Sequence, residues 1–152
     1  FDQGVFKLTT PADYLRMYDT HQICAPSASS WGNKGYWEVW LEGSNAWVYP
    51  HLHAAAQRMT EVARRYPNAY GQMDRALKQM ARELLLAQSS DWAFLMKTGT
   101  APHYAVRRTK DHLLRFNRLY DQVKSGQIDE IFLRSCETRD NIFPGLNWRY
   151  FL

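Results

Sequence analysis

The chain has 152 residues, 45% of them apolar and 22% charged, with a formal net charge of +4 and a pI near 9.1. That length suits one domain able to own a core, and the composition is ordinary for a soluble globular chain. Eight Gly and six Pro exclude a low-complexity or collagen-like chain, and no apolar run is long enough for a membrane span. The mild positive charge permits weak attraction to anions without demanding nucleic acid. Phe1–Gly4 has neither the basic start nor the apolar stretch of a secretory signal, so a cytoplasmic location is expected. The missing initiator Met implies a chain processed or cut from something longer. Cys24 and Cys136 lie far apart and are read as buried or idle thiols in a reducing compartment.

In chain order, Val5–Leu8 reads as a short strand. Thr10 is placed to cap a short helix over Pro11 to Tyr18, with Pro11 at its first position and Asp13 closing a capping box. Residues 20–45 form an irregular loop whose glycines and bunched aromatics fit neither helix nor strand. Ser44 or Asn45 is expected to cap a helix to about Tyr66, ended by Pro67, with Leu52, Ala55, Ala56, Met59, Val62 and Ala63 inward. Asn68 should cap the next, with Tyr70, Met73, Leu77, Met80, Ala81 and Leu84 on one face, ending near Gln88. A short turn at Trp92–Lys97 is closed by Gly99. Thr100 should cap a long helix from Ala101 to about Lys124. Its stripe is Tyr104, Ala105, Arg108, His112, Phe116, Leu119 and Val123, and Gly126 ends it. A last helix spans about Ile128 to Arg139, with Ile128, Ile131, Phe132 and Cys136 inward, before an apolar tail. The expected fold is one all-α domain over residues 1–152. It consists of an aromatic loop (20–45) and a bundle of about five helices (46–140).

No metal site and no cofactor are expected. His51 and His53 face apart on a helix, and neither cysteine has a CxxC companion. No serine lies in GxSxG; Ser29-Ser30 and Ser89-Ser90 suit caps and turns. Arg64, Arg65, Arg107, Arg108, Lys110, Arg115 and Arg118 spread around helices among acids, which suits a solvated face better than a nucleic-acid patch. The aromatic loop is the strongest candidate. Trp31, Tyr36, Trp37, Trp40 and Trp47 cluster closely, either as a structural core or as a platform for sugar rings. Asp91 beside Trp92 adds a carboxylate at an aromatic wall, and it also suits a helix N-cap.

Several strings carry a resemblance. They are Ser29-Ser30-Trp31-Gly32, Gly35-Tyr36, Val39-Trp40-Leu41, Asn45-Ala46-Trp47, His51-Leu52-His53 and Arg58-Met59. Further on come Ala87-Gln88-Ser89-Ser90-Asp91-Trp92-Ala93-Phe94, Tyr104-Ala105, Arg108, His112 and Asp140-Asn141-Ile142-Phe143-Pro144. From about Leu8 to Tyr150 the chain resembles the C-terminal helical domain of glycoside hydrolase family 57 1,4-α-glucan branching enzymes, a region once catalogued as a domain of unknown function.

The resemblance implies a helical domain packed on an N-terminal catalytic (β/α)7 barrel that lies outside this sequence. It implies a retaining mechanism in which a barrel Glu attacks the anomeric carbon and a barrel Asp protonates the leaving oxygen. The chain is then transferred to a 6-hydroxyl to make an α-1,6 branch. With neither carboxylate present, no catalysis is expected of these residues alone. The implied partner is an α-1,4-glucan such as glycogen, amylose or starch, besides the barrel; neither nucleic acid nor membrane is implied. Trp31 and Trp40 fall where the family's tryptophans bind glucan. Asp91 is expected to hold sugar hydroxyls, with Gln88 and Trp92 supporting, while Trp37 and Trp47 are assigned to the core. Two other readings stay open: a stand-alone carbohydrate-binding or interaction module, and the same domain of a family 57 α-amylase or glucanotransferase. Only an enzyme part should expose a large apolar docking face.

Overall fold

The computed structural model describes residues 4–152. They contain six α-helices: α1 (Pro11–Met17), α2 (Val48–Arg65), α3 (Gly71–Ala87), α4 (Ser90–Thr98), α5 (Pro102–Ser125) and α6 (Glu130–Arg139). Short 3-10 turns occupy Asn33–Gly35, Trp37–Val39 and Trp148–Phe151. No strand occurs among the described residues, so the strand expected at Val5–Leu8 does not form. A lone extended segment has no neighbour to accept its ladder of hydrogen bonds. The segment expected to be a turn at Trp92–Lys97 is a full helix, α4, ended by Gly99 in the left-handed region at φ 73°.

The bundle is built around α5, which packs on α2, α3 and α4, while α6 and the Trp148–Phe151 turn lie against α3. Apolar side chains recurring at three and four produce this. Met59 and Val62 of α2, Leu77, Met80 and Leu84 of α3, and Phe116, Leu119 and Val123 of α5 fill one core with Leu133 and Trp148. A smaller cluster of Val48, Met96 and Ala105 joins α2, α4 and α5.

Helix ends follow the sequence less closely than helix faces. Thr10 does cap α1, its Oγ1 accepting the Asp13 N–H at 3.1 Å, and Asp129 caps α6 by accepting from the Phe132 N–H at 3.0 Å. Ser44, Asn45, Asn68 and Thr100 cap nothing with their side chains. Before α2 backbone turns do that work instead: Val48 N–H donates to the Asn45 carbonyl at 3.1 Å, and Tyr49 N–H to the Ala46 carbonyl at 3.3 Å. Ile131 is 84% exposed rather than inward, because α6 turns Leu133 and Cys136 to the core. Tyr104 is also exposed.

Arg75 of α3 clamps α6, reaching Glu130 at 3.0 Å and Glu137 at 2.6 Å. Arg134 first, then Arg75 and Gln72, hold the Glu130 carboxyl from the ordinary 4.5 down to about 2. A depressed carboxylate contributes stability above its unfolded value and loses it as pH falls through its folded one. Glu130→Gln is therefore expected to lower the urea midpoint slightly at pH 7. Urea melts of both proteins should converge as pH falls from about 4.5 to about 2, and also in molar salt, because the group is at the surface.

The first third of the chain packs differently. No residue of α1 is buried, and Val5, Leu8, Leu15 and Ile23 are all exposed. Cys24 is an exposed free thiol, while Cys136 is buried and its thiol is pushed up to about 11 by burial.

Candidate functional site

The loop preceding α2 is folded on itself. Gly32 sits at φ 142° with the Val39 Cγ2 only 2.9 Å from where a Cβ would be, so a side chain there meets both strain and a clash. Ser30 N–H donates to the Gly35 carbonyl at 2.7 Å, closing the turn. Trp40 Nε1–H donates to the Trp31 carbonyl at 2.8 Å, and the Tyr49 hydroxyl donates to the Trp40 carbonyl. Asn45, fully buried, accepts from the Glu42 N–H at 2.8 Å. Its Nδ2 donates to the carbonyls of Val39 at 2.9 Å and Ala93 at 3.2 Å, bolting the loop to α4.

This scaffold assembles three aromatic rings. Trp31 lies 6.0 Å from both Trp40 and Phe94, and Trp40 lies 6.2 Å from Phe94, with interplanar angles of 34–39°. Trp31 leaves 74% of itself in water, while Trp40 and Phe94 are half-buried. Beside Trp40 opens a cleft of about 210 Å³, lined by Trp40, Tyr49, Leu52, Gln88, Ser89 and Trp92 among others. Sequence reasoning therefore placed Trp40, Gln88 and Trp92 at one cleft, with Trp31 joined to it through Trp40. It missed Phe94 and Tyr49 as partners. Phe94 lies in α4 two residues after Trp92 and so on a different face of it, turned to Trp31 and Trp40, and no spacing in the sequence signalled that contact.

Asp91 does not line the cleft. It sits exposed in the first turn of α4, where it accepts the Ser89 hydroxyl at 2.6 Å. Its expected place as N-cap is corrected: α4 begins at Ser90, so Ser89 takes that position. The core assignment of Trp37 is also overturned, at 52% exposed, since Val39 is the turn residue that points inward. Trp47 is half-buried against the Val48–Met96–Ala105 cluster, with Lys110 over its ring at 5.8 Å. His51 and His53 are exposed, edging Trp47 and Tyr49 respectively.

Behind the cleft lies a buried polar cluster. Trp92 Nε1–H donates to the Leu86 carbonyl at 2.7 Å, and the indole stacks on the His112 ring at 6.4 Å and 27°. Glu83 and His112 are fully buried, with Glu83 Oε2 at 2.7 Å from His112 Nδ1. Burial pushes the Glu83 carboxyl above its ordinary range, and hydrogen bonds from His112 and Gln79 draw it back. Arg115 pairs with Asp140 at 2.8 Å and stands 3.9 Å from Glu83. Arg108 stands 3.8 Å from Asp140. Two guanidiniums thus balance two carboxylates around a histidine.

Donor atoms of Glu83, His112 and Asp140 lie within 4.8 Å of one another, close enough for a metal. Arg115 and Arg108 already supply the positive charge at those carboxylates, so the set is spent on ion pairs. Arg118 likewise pairs with Asp129 at 2.9 Å. These pairs take Arg108, Arg115 and Arg118 out of any free basic patch. Among the described residues no helix is long and apolar enough to cross a membrane.

Comparison with known proteins identifies the family and the fold. The family model described as 1,4-alpha-glucan branching enzyme, C-terminal, matches residues 51–151. The curated 1,4-alpha-glucan branching enzyme TK1436 of Thermococcus kodakarensis is 35% identical over 149 residues, covering 94% of this chain and 22% of its own length. The crystal structure of the GH57-type branching enzyme from Pyrococcus horikoshii superposes with a TM-score of 0.82 at 34% identity, over 97% of this chain and 29% of that one. The α-amylase AmyC from Thermotoga maritima superposes with a TM-score of 0.75 at 43% identity, over 99% of this chain and 27% of its own. The chain thus spans between a fifth and a third of each relative's length. With the family model covering both the bundle and its C-terminal turn, and the fold shared along nearly the whole chain, this protein belongs to the family of 1,4-α-glucan branching enzyme C-terminal domains, of the glycoside hydrolase 57 type.

Proposed function

We propose that this chain is the glucan-binding C-terminal domain of a 1,4-α-glucan branching enzyme. The observation that carries the reading is the Trp31–Trp40–Phe94 platform beside the Trp40–Trp92 cleft. An exposed indole offers the C–H face of a pyranose a surface that sheds water, while Gln88 and Ser89 at the cleft lip can hydrogen-bond hydroxyls. Cleavage and transfer to a 6-hydroxyl are assigned to a catalytic domain, with this one orienting the glucan and keeping water from competing. By itself the chain is expected to form no branches. Val5, Leu8, Leu15 and Ile23 are exposed apolar side chains that such a catalytic domain would cover.

The test is titration with maltoheptaose, followed by Trp fluorescence. Saturable quenching is expected. Trp31→Ala and Trp40→Ala should each weaken it by about fivefold or more, the effect of losing roughly 1 kcal/mol of aromatic contact. No response from a folded wild-type chain, either alone or with the catalytic domain added, would reject the platform. Similarity to AmyC supports a second reading, in which the parent enzyme is an α-amylase or glucanotransferase with the same domain. Products of the parent enzyme decide: new α-1,6 linkages support branching, whereas short maltooligosaccharides alone support the second reading.

A further inference from the structure

We propose that His112, backed by Glu83, is a positioning residue that holds the Trp92 indole in the orientation that walls the cleft. The ligand in this inference rests on the glucan-binding reading; the positioning itself does not.

The argument begins with where the protons sit. Arg108 Nη2 lies 2.9 Å from His112 Nε2, and a guanidinium only donates, so Nε2 accepts. The imidazole proton is then on Nδ1, donated to Glu83 Oε2 at 2.7 Å. Glu83 Oε1 takes a further hydrogen bond from Gln79 Nε2 at 2.9 Å. Both ring nitrogens are thus engaged from opposite sides, by α3 and by the preceding turn of α5, and the imidazole plane cannot rotate. Asp140, from the segment after α6, and Arg115 complete the charge around it.

That fixed ring backs one face of Trp92, 6.4 Å away and tilted by 27°, and the Arg108 guanidinium lies 5.9 Å over the same indole. The indole N–H is separately committed to the Leu86 carbonyl. Tyr104 meets the indole edge-on at 6.0 Å and the Val48–Met96–Ala105 cluster packs against it, so His112 is the hydrogen-bonded support among apolar ones, and the indole still lines the cleft. An apolar side chain at position 112 would fill the space without taking two desolvated hydrogen bonds. A hydrogen-bonded ring contributes orientation, so that glucan meets an indole that has little freedom left to lose.

The experiment uses the whole chain. The aromatic circular dichroism contributed by Trp92 is obtained as the difference between each protein and its Trp92→Phe counterpart. In His112→Gln, which keeps a donor and an acceptor but no ring, that difference band is expected to collapse while far-ultraviolet helicity is retained. Maltoheptaose affinity should fall by about fivefold, the effect of one side chain that must be ordered on binding. Glu83→Gln keeps the imidazole and an acceptor for its Nδ1–H, and should retain much of the band. A folded His112→Gln with an unchanged Trp92 band overturns the proposal, whatever happens to affinity. If His112→Gln does not fold, His112→Asn, which also keeps a donor and an acceptor but no ring, is read the same way. A wild-type chain that ignores maltoheptaose defeats the glucan reading, and the Trp92 band then judges the positioning on its own.

Discussion

Arg115→Met is expected to lower the unfolding free energy by about 3–5 kcal/mol, although it keeps most of the side chain's packing. The Arg115 side chain is only 13% exposed and lies 2.8 Å from Asp140 and 3.9 Å from Glu83, both buried. Its loss leaves two carboxylates near each other with Arg108 as the remaining nearby cation. Each must then be protonated, hydrated or exposed. A second change separates the ion pair from mere bulk. Arg115→Met combined with Asp140→Asn removes one charge of each sign and should recover at least half of the loss. Urea unfolding of the two single variants, the pair and the wild type closes the cycle. If the pair is no better than the sum of its parts, the buried network is not what Arg115 supports.

The second large effect is expected at Trp148. It is completely buried, the largest such side chain in the protein, and its Nε1–H donates to Asp74 Oδ1 at 2.9 Å. Arg149 lies over the ring at 4.2 Å and donates to the Pro67 carbonyl at 2.9 Å, so the C-terminal turn closes across the α2–α3 corner. Trp148→Ala should cost about 3–5 kcal/mol through the cavity it leaves. Trp148→Phe should cost less, since it fills most of the space and leaves only Asp74 short of a donor. Thermal melts of both variants give the order. Near-equal stability of the Ala variant would mean that the tail is not docked.

Those two residues mark where sequence reading stopped. The stripes of α2 and α5 were readable because an apolar side chain recurs at three and four over many turns, and Gly126 after α5 takes the left-handed conformation its position calls for. Caps were less readable. Asn45 and Asn68 have the chemistry of a cap, but a short polar side chain equally suits a turn, and before α2 backbone turns already engage the first N–H groups. Trp148 was passed over because a tail of four residues carries no periodicity. The site was readable in its aromatics and not in its support. Glu83 falls on the stripe Ala76–Met80–Ala87, where a carboxylate is out of place, and His112 lies on the matching stripe of α5. A charged residue inside an apolar stripe was the available signal for the buried network.

Asn45 also sets an order of assembly. Most contacts within the aromatic loop span fewer than ten residues, but the Asn45 bond to Ala93 reaches 48 residues along the chain. That bond has no partner until α4 has settled on α5, and the loop carries little apolar burial of its own to wait with. The rings of Trp31 and Trp40 are therefore expected to reach Phe94 only after α4 has formed and docked. Maturation of the platform is expected to follow that of the helices, with the loop's aromatics exposed on a nascent chain until Ala93 and α5 have been made.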